Sequence, residues 1–141
     1  METMNTNAIT IEALVSAPIE KVWKYWTEPK HIMAWSFASD DWHAPHAEND
    51  LKVGGKFTTT MAAKDGSFSF DFGGIYTAIK PQELIEYVLE DGRKVQVIFK
   101  SQNSKTNIIS TFDPESQNPL DMQKNGWQAI LDNFKKHCET A

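Results

Sequence analysis

Apolar and polar residues alternate over Ala8–Val15, with Ile9, Ile11, Ala13 and Val15 on one side and Ala8, Thr10, Glu12 and Leu14 on the other. A period of two with one uniformly apolar side predicts a half-buried strand. The period then changes. After Ser16-Ala17-Pro18, the residues Ile19, Val22, Trp23 and Trp26 recur at helical spacing, and Glu20 and Lys24 form an i,i+4 pair on the outer side. Pro18 suits a first helical turn, where its missing N–H is not needed. Pro29 stops this helix near Thr27, and Lys30–Trp35 reads as a second short helical piece.

Phe37–Asn49 shows no period and reads as an irregular loop containing Ser39-Asp-Asp-Trp-His-Ala-Pro-His46. From Lys56 onward the pattern is strand after strand, at Lys56–Ala63, Ser67–Ile79, Leu84–Glu90, Arg93–Ser101 and Ser104–Phe112. Turn residues separate them: Asp65-Gly66, Pro81-Gln82, Asp91-Gly92 and Gln102-Asn103. Asp-Gly supplies the positive φ that tight hairpins require, so an antiparallel meander is predicted. Its apolar face carries Phe68, Phe70 and Phe72, then Val95, Val97 and Phe99, then Ile108 and Phe112 with Thr106 and Ser110 between them. Gly73-Gly74 interrupts the longest strand and predicts a bulge or bend that lets the sheet curl.

The last segment is helical. Asn118 is placed as a cap, Pro119 at the first position and Asp121 in the first turn. Met122, Trp127, Ile130, Leu131, Phe134 and Cys138 form its apolar stripe, with Lys124, Asp132, Lys135, Lys136 and Glu139 largely outside it. A helix over 119–137 spans roughly 28 Å, about the width of five or six strands at roughly 4.8 Å each. It can therefore lie across the whole sheet. The predicted class is α+β in a helix-grip arrangement: two short helices after the first strand, then a curved antiparallel sheet of six to seven strands wrapped around a long C-terminal helix.

With 141 residues the chain supports one core and one domain, placed at 8–141 behind a polar, disordered leader at 1–7. Charge narrows the partners. The net charge is −5, and the cations are 13 Lys with a single Arg, Arg93. Nucleic acid wants clustered cations and Arg forks, and anionic membranes repel an acidic surface, so neither is expected as a partner. The lone Cys138 fits a reducing compartment, and no apolar segment reads as a signal peptide or membrane span; a cytoplasmic location is expected.

Several short segments, in order, resemble one family. Ser16-Ala-Pro-Ile-Glu-Lys-Val-Trp23 resembles its first helix entry, and Thr27-Glu-Pro29 with Trp35 a following "dP…W" segment. Val53-Gly-Gly-Lys-Phe57 resembles its Gly-Gly-x-Phe turn, and Gly74-x-Tyr76-x-x-Ile79-x-Pro81-x-x-Leu84 its strand–turn–strand signature. Thr106, and Gly126-Trp127-x-x-x-Leu131, complete the set. The chain thus resembles the START/Bet v 1-like (SRPBCC) superfamily, in the branch named after the C-terminal domain of the activator of Hsp90 ATPase. The co-chaperone behind that name has an additional N-terminal domain for which this chain has no room, so the name does not itself carry Hsp90 activation here.

The resemblance implies a cavity between sheet and terminal helix. Trp35, Trp42, Phe57, Met61, Phe70, Phe72, Trp127, Leu131 and Phe134, with Tyr76, are the residues expected to line it and to hold a small hydrophobic or amphipathic ligand. The competing reading is that the same five Trp and eight Phe simply fill a core. The resemblance also implies, as alternatives, a chaperone partner with a place in the stress response, or an enzyme on polyketide-like or aromatic substrates. The signature of the chaperone alternative would be an exposed apolar patch on the outer sheet face, around Ile98 and Ile109. No catalytic motif, cofactor motif or metal set is found; His43 and His46 are expected on a solvated loop, near enough to the opening to touch a ligand. A monomer or weak homodimer is expected.

Overall fold

The computed structural model describes residues 8–140, so the expected leader at 1–7 lies outside the described residues. Seven strands form one antiparallel sheet: β1 (Ile9–Val15), β2 (Trp42–Asn49), β3 (Lys56–Ala63), β4 (Ser69–Lys80), β5 (Leu84–Leu89), β6 (Lys94–Gln102) and β7 (Lys105–Phe112). Their spatial order is β1-β7-β6-β5-β4-β3-β2. The helices α1 (Ile19–Thr27) and α2 (Pro29–Trp35) connect β1 to β2, and therefore run from one edge of the sheet to the other. The long helix α3 (Leu120–Thr140) closes the chain. The sheet is curled and α+β, with two short helices after the first strand.

β1 alternates buried and exposed residues without a break, because one face meets α3 and the other meets water. The same alternation runs through β5, β6 and β7. Hairpin chemistry sets their register. Gly66 and Gly92 sit at φ +79° and +90°, where a Cβ would be strained. Asn103 and Ser104 both have positive φ, and Gln102 pairs with Lys105 across them. That is the two-residue primed turn whose twist matches the flanking strands. Gly73 and Gly74 serve a different end: a Cβ on Gly73 would run into the Phe57 carbonyl and one on Gly74 into the Val88 carbonyl. The register shift of β4 falls just after them, between Tyr76 and Ala78.

Three expectations are corrected. Trp42–Asn49 is not a loop but the edge strand β2, irregular between His43 and His46; Pro45 is tolerated there because an edge has a side with no ladder to lose. Asn118 does not cap α3: the helix begins at Leu120, and the Asn118 side chain donates to the Glu115 carboxylate at 2.9 Å. Met122 is not on the apolar stripe. It is 62% exposed, and the buried neighbour is Gln123.

The core sits between sheet and helices. Phe134 touches Trp26 and Trp35 edge-on at 4.9 and 5.0 Å, and Trp26 in turn meets Phe99 of β6. Trp127 stacks on Phe112 of β7 at 3.9 Å and meets Phe72 of β4 edge-on. One helix thus reaches from one side of the sheet to the other. Thr106 is buried and donates to the Ala17 carbonyl at 2.9 Å, which fixes the entry of α1 against β7.

Candidate functional site

A cavity of about 360 Å³ lies between the inner face of the sheet and α3. β3 supplies Phe57, Thr59 and Met61 to its wall; β4 supplies Phe70, Phe72 and Tyr76; α3 supplies Gln123, Trp127, Ile130 and Leu131. Period-two alternation explains the first two sets, since every second residue faces inward. The floor is Ile85, Val97, Ser110 and Ile11, which are consecutive register partners across β5, β6, β7 and β1. A second hollow of about 350 Å³ adjoins it and shares Met61, Phe70, Asn118, Gln123, Trp127 and Ile130 with it. Phe70 is 42% exposed and Asn118 is exposed, so this end reaches solvent.

Of the ten residues expected at the site, eight are brought together around the cavity: Trp35, Phe57, Met61, Phe70, Phe72, Tyr76, Trp127 and Leu131. Trp42 lines only the outer hollow, where it contacts Phe68 and Phe70. Phe134 does not reach the cavity; it is fully buried behind Trp26 and Trp35. Phe68 is 59% exposed, because it lies in the connection between β3 and β4, just before the strand begins at Ser69. His43 and His46 are exposed on β2 and line neither hollow, and among the described residues no group of three metal-binding side chains occurs. Asp71 faces outward, as alternation requires, and accepts from the Thr60 hydroxyl at 2.7 Å.

The polar part of the lining was largely missed. Ser36, Thr59, Ser110, Tyr87 and Gln123 are buried and line the cavity, with Arg93 and Glu115 near one end. Gln123 is held by three bonds: its Nε2 donates to the carbonyls of Glu115 at 3.0 Å and Asn118 at 2.8 Å, and its Oε1 accepts from the Glu115 N–H at 2.8 Å. Tyr76 donates to Asn49 Oδ1 at 2.6 Å, and Asn49 Nδ2 donates to the Thr27 carbonyl at 2.7 Å. That relay ties α1, β2 and β4 together. Arg93 is pinned by its Nε to Asp91 Oδ2 at 2.7 Å. A usable signal existed for two of these residues: Arg93 is the chain's only arginine, and Ser110 shares the inward face with Ile108 and Phe112.

The electrostatics are uniform. Burial pushes the hydroxyls of Tyr76 and Tyr87 far above the usual tyrosine value, so both remain protonated. The Glu115 carboxyl is held low by the Asn118 N–H, with Arg93 contributing. Burial works against the Asp91 carboxylate, but its hydrogen bonds from Arg93 outweigh this and hold it low as well. The tyrosine values are thus raised and the two carboxyl values lowered, each away from neutral pH. Burial pushes the thiol of Cys138 up, and it sits in the core as a small apolar residue.

Residues 16–139 match the family model described as Activator of Hsp90 ATPase homolog 1-like protein. The solution NMR structure of such a protein from Aeromonas hydrophila is 45% identical, with 94% of this chain and 92% of that one covered and a TM-score of 0.89. A solution structure of a protein from Cytophaga hutchinsonii is 60% identical over 94% and 92% of the two chains, with a TM-score of 0.82. A crystal structure from Chromobacterium violaceum, at 20% identity and TM-score 0.84 over 95% and 99%, shares the fold. No curated protein matches the chain. Among the described residues no helix is long and apolar enough to cross a membrane.

Proposed function

The chain belongs to the family of Activator of Hsp90 ATPase homolog 1-like proteins, and on that premise we propose that it binds one small apolar or amphipathic molecule between sheet and α3 and performs no chemistry on it. The carrying observation is the cavity itself, about 360 Å³ walled by rings that could have filled it. That volume lies within the range of small-molecule sites, and a mainly apolar wall with a few inward hydroxyls is their usual make-up. A non-enzymatic role is supported by the protonation states. An acid–base residue works best with a pKa near the operating pH, whereas the cavity tyrosines are pushed up and Glu115 and Asp91 are held low. The acidic surface and single buried cysteine support a cytoplasmic site of action.

The test uses N-phenyl-1-naphthylamine, a neutral fluorophore of suitable size. Titration should give saturable 1:1 binding with a blue shift. Ser110→Trp, which fills the cavity from its floor, should abolish it while the far-ultraviolet dichroism is kept. No saturable binding to the wild-type protein, or equal binding to both proteins, would sink the proposal.

The family name favours a second reading, a chaperone accessory. The outer face of the sheet carries Leu84, Ile98 and Ile109 as neighbouring register partners. All three are half-buried and lie beside the charged and polar Glu12, Glu86, Gln96 and Lys100. So small an apolar patch supports docking less well than the cavity supports a ligand. Stimulated ATP hydrolysis by an Hsp90-class chaperone, lost in Ile98→Glu, would favour the accessory role.

A further inference from the structure

Two tyrosines stand side by side on the inner face of the sheet and differ in one respect. Tyr76 and Tyr87 are register partners on β4 and β5, with rings edge-on at 6.2 Å. The Tyr76 hydroxyl is satisfied by Asn49. Tyr87 is only 9% exposed, lines the cavity, and has no hydrogen-bond partner for its hydroxyl among the described residues. No described side-chain N or O is both sealed off and unpartnered, so this hydroxyl opens onto the cavity. A serine or threonine hydroxyl can turn back to its own backbone, but a phenol at the end of a ring cannot. A buried donor without a partner is costly, and folds retain one where something else supplies the acceptor.

The surroundings restrict what that acceptor can be. Burial keeps Tyr87 in its O–H form, and a phenol bonds more strongly as donor than as acceptor, because its lone pairs are drawn into the ring. Ile85, Val97 and Phe57 are the apolar lining on the strands around it. The one cation among the lining residues, Arg93, is within electrostatic reach of Tyr87, but its charge is already balanced by Asp91, which accepts from its Nε, and by Glu115 nearby. An anion placed against Tyr87 would be stripped of water with no free counter-charge, which costs far more than one hydrogen bond returns. We infer that the cavity selects an apolar molecule bearing a neutral acceptor, a carbonyl, ester or ether oxygen, which docks buried end first on the Tyr87 hydroxyl. This deepens the ligand-binding reading and rests on it.

A matched pair of probes tests it: 2-acetylnaphthalene and its hydrocarbon isostere 2-isopropenylnaphthalene, titrated by tryptophan fluorescence into wild-type, Tyr87→Phe and Tyr76→Phe proteins. The ratio of ketone to hydrocarbon affinity should fall roughly three- to tenfold in Tyr87→Phe, the size of one net hydrogen bond, and stay unchanged in Tyr76→Phe. A ratio unmoved by Tyr87→Phe overturns this inference and leaves the ligand-binding reading standing. Binding of neither probe to the wild-type protein overturns both. Should Tyr87→Phe fail to fold, the infrared carbonyl band of the ketone bound to wild-type protein decides: a shift to lower wavenumber relative to cyclohexane supports the bond, and an unshifted band refutes it.

Discussion

The two halves of α3 face the same sheet and build different interiors. Toward its C-terminus, Phe134 and Cys138 are fully buried, and Trp26 of α1 and Trp35 of α2 pack on Phe134, Trp26 meeting Phe99 of β6 in turn. Toward its N-terminus, Gln123, Trp127 and Ile130 roof a void. Both halves turn buried residues toward the sheet, Gln123 in the first and Leu131, Phe134 and Cys138 in the second. What differs is the number of layers: α1 and α2 add a third set of side chains around Phe134, and their Trp26 and Trp35 border the void only where it meets that packed end. Close packing needs volume from every direction, and the other end lacks it.

Substitutions can break this contrast. Phe134→Ala should cost roughly 3–5 kcal/mol in urea unfolding, since a fully buried ring leaves a hole among rigid neighbours. Trp127→Ala should cost less, about 1–3 kcal/mol, although Trp is the larger side chain. Trp127 is half-buried, and much of what it covers is already empty, its firm contact being the stack on Phe112. Equal costs would mean that the two ends are packed alike.

A pH titration sharpens the same contrast from the solid end. His31 Nδ1 and His137 Nε2 meet at 3.2 Å between α2 and α3, with His31 stacked on Tyr25 at 3.8 Å. Burial, and for His31 the charge of His137 and then Lys30, lowers both pKa values below 6.5; Lys24 also bears on His31 and Lys21 on His137, while Glu28 opposes the shift at His31. Folded values lie below unfolded ones, so the neutral pair's contribution is whole above pH 6.5 and is lost as pH falls below it. The urea midpoint should therefore drop on acidification, and His137→Gln should reduce that drop. At the small end of the scale, Phe68→Ser should change stability by under about 0.5 kcal/mol, because the ring is largely in water.

The solid parts of this fold were legible because their signals are local. Alternation gave the central strands, Asp-Gly and Gln-Asn turns gave the hairpins, and period 3.6 gave α3. β2 was not legible, because an edge strand with Pro45 and two exposed histidines has only Ala44 and Ala47 to bury. Gln123 was passed over for Met122 because polarity and burial disagree there: the helix phase buries Gln123 with Trp127, Leu131, Phe134 and Cys138, and the amide's loop bonds offset its desolvation. At the site, the rings were readable as inward-facing, but Trp42 and Phe134 show that facing inward does not decide which rings border empty space. A void depends on how many layers meet at a place and how well they fill it, and no single stretch of chain encodes that.

The segment 113–119 has one more consequence. Asn118 and Gln123 border both hollows, and this stretch of chain is anchored to α3 through the amide of Gln123. A guest leaving by that route would have to wait for three ordinary bonds of one neutral side chain to open together. Residence time and affinity would then answer to different residues: Gln123→Ala should speed exchange severalfold while the grip of the interior stays as it was.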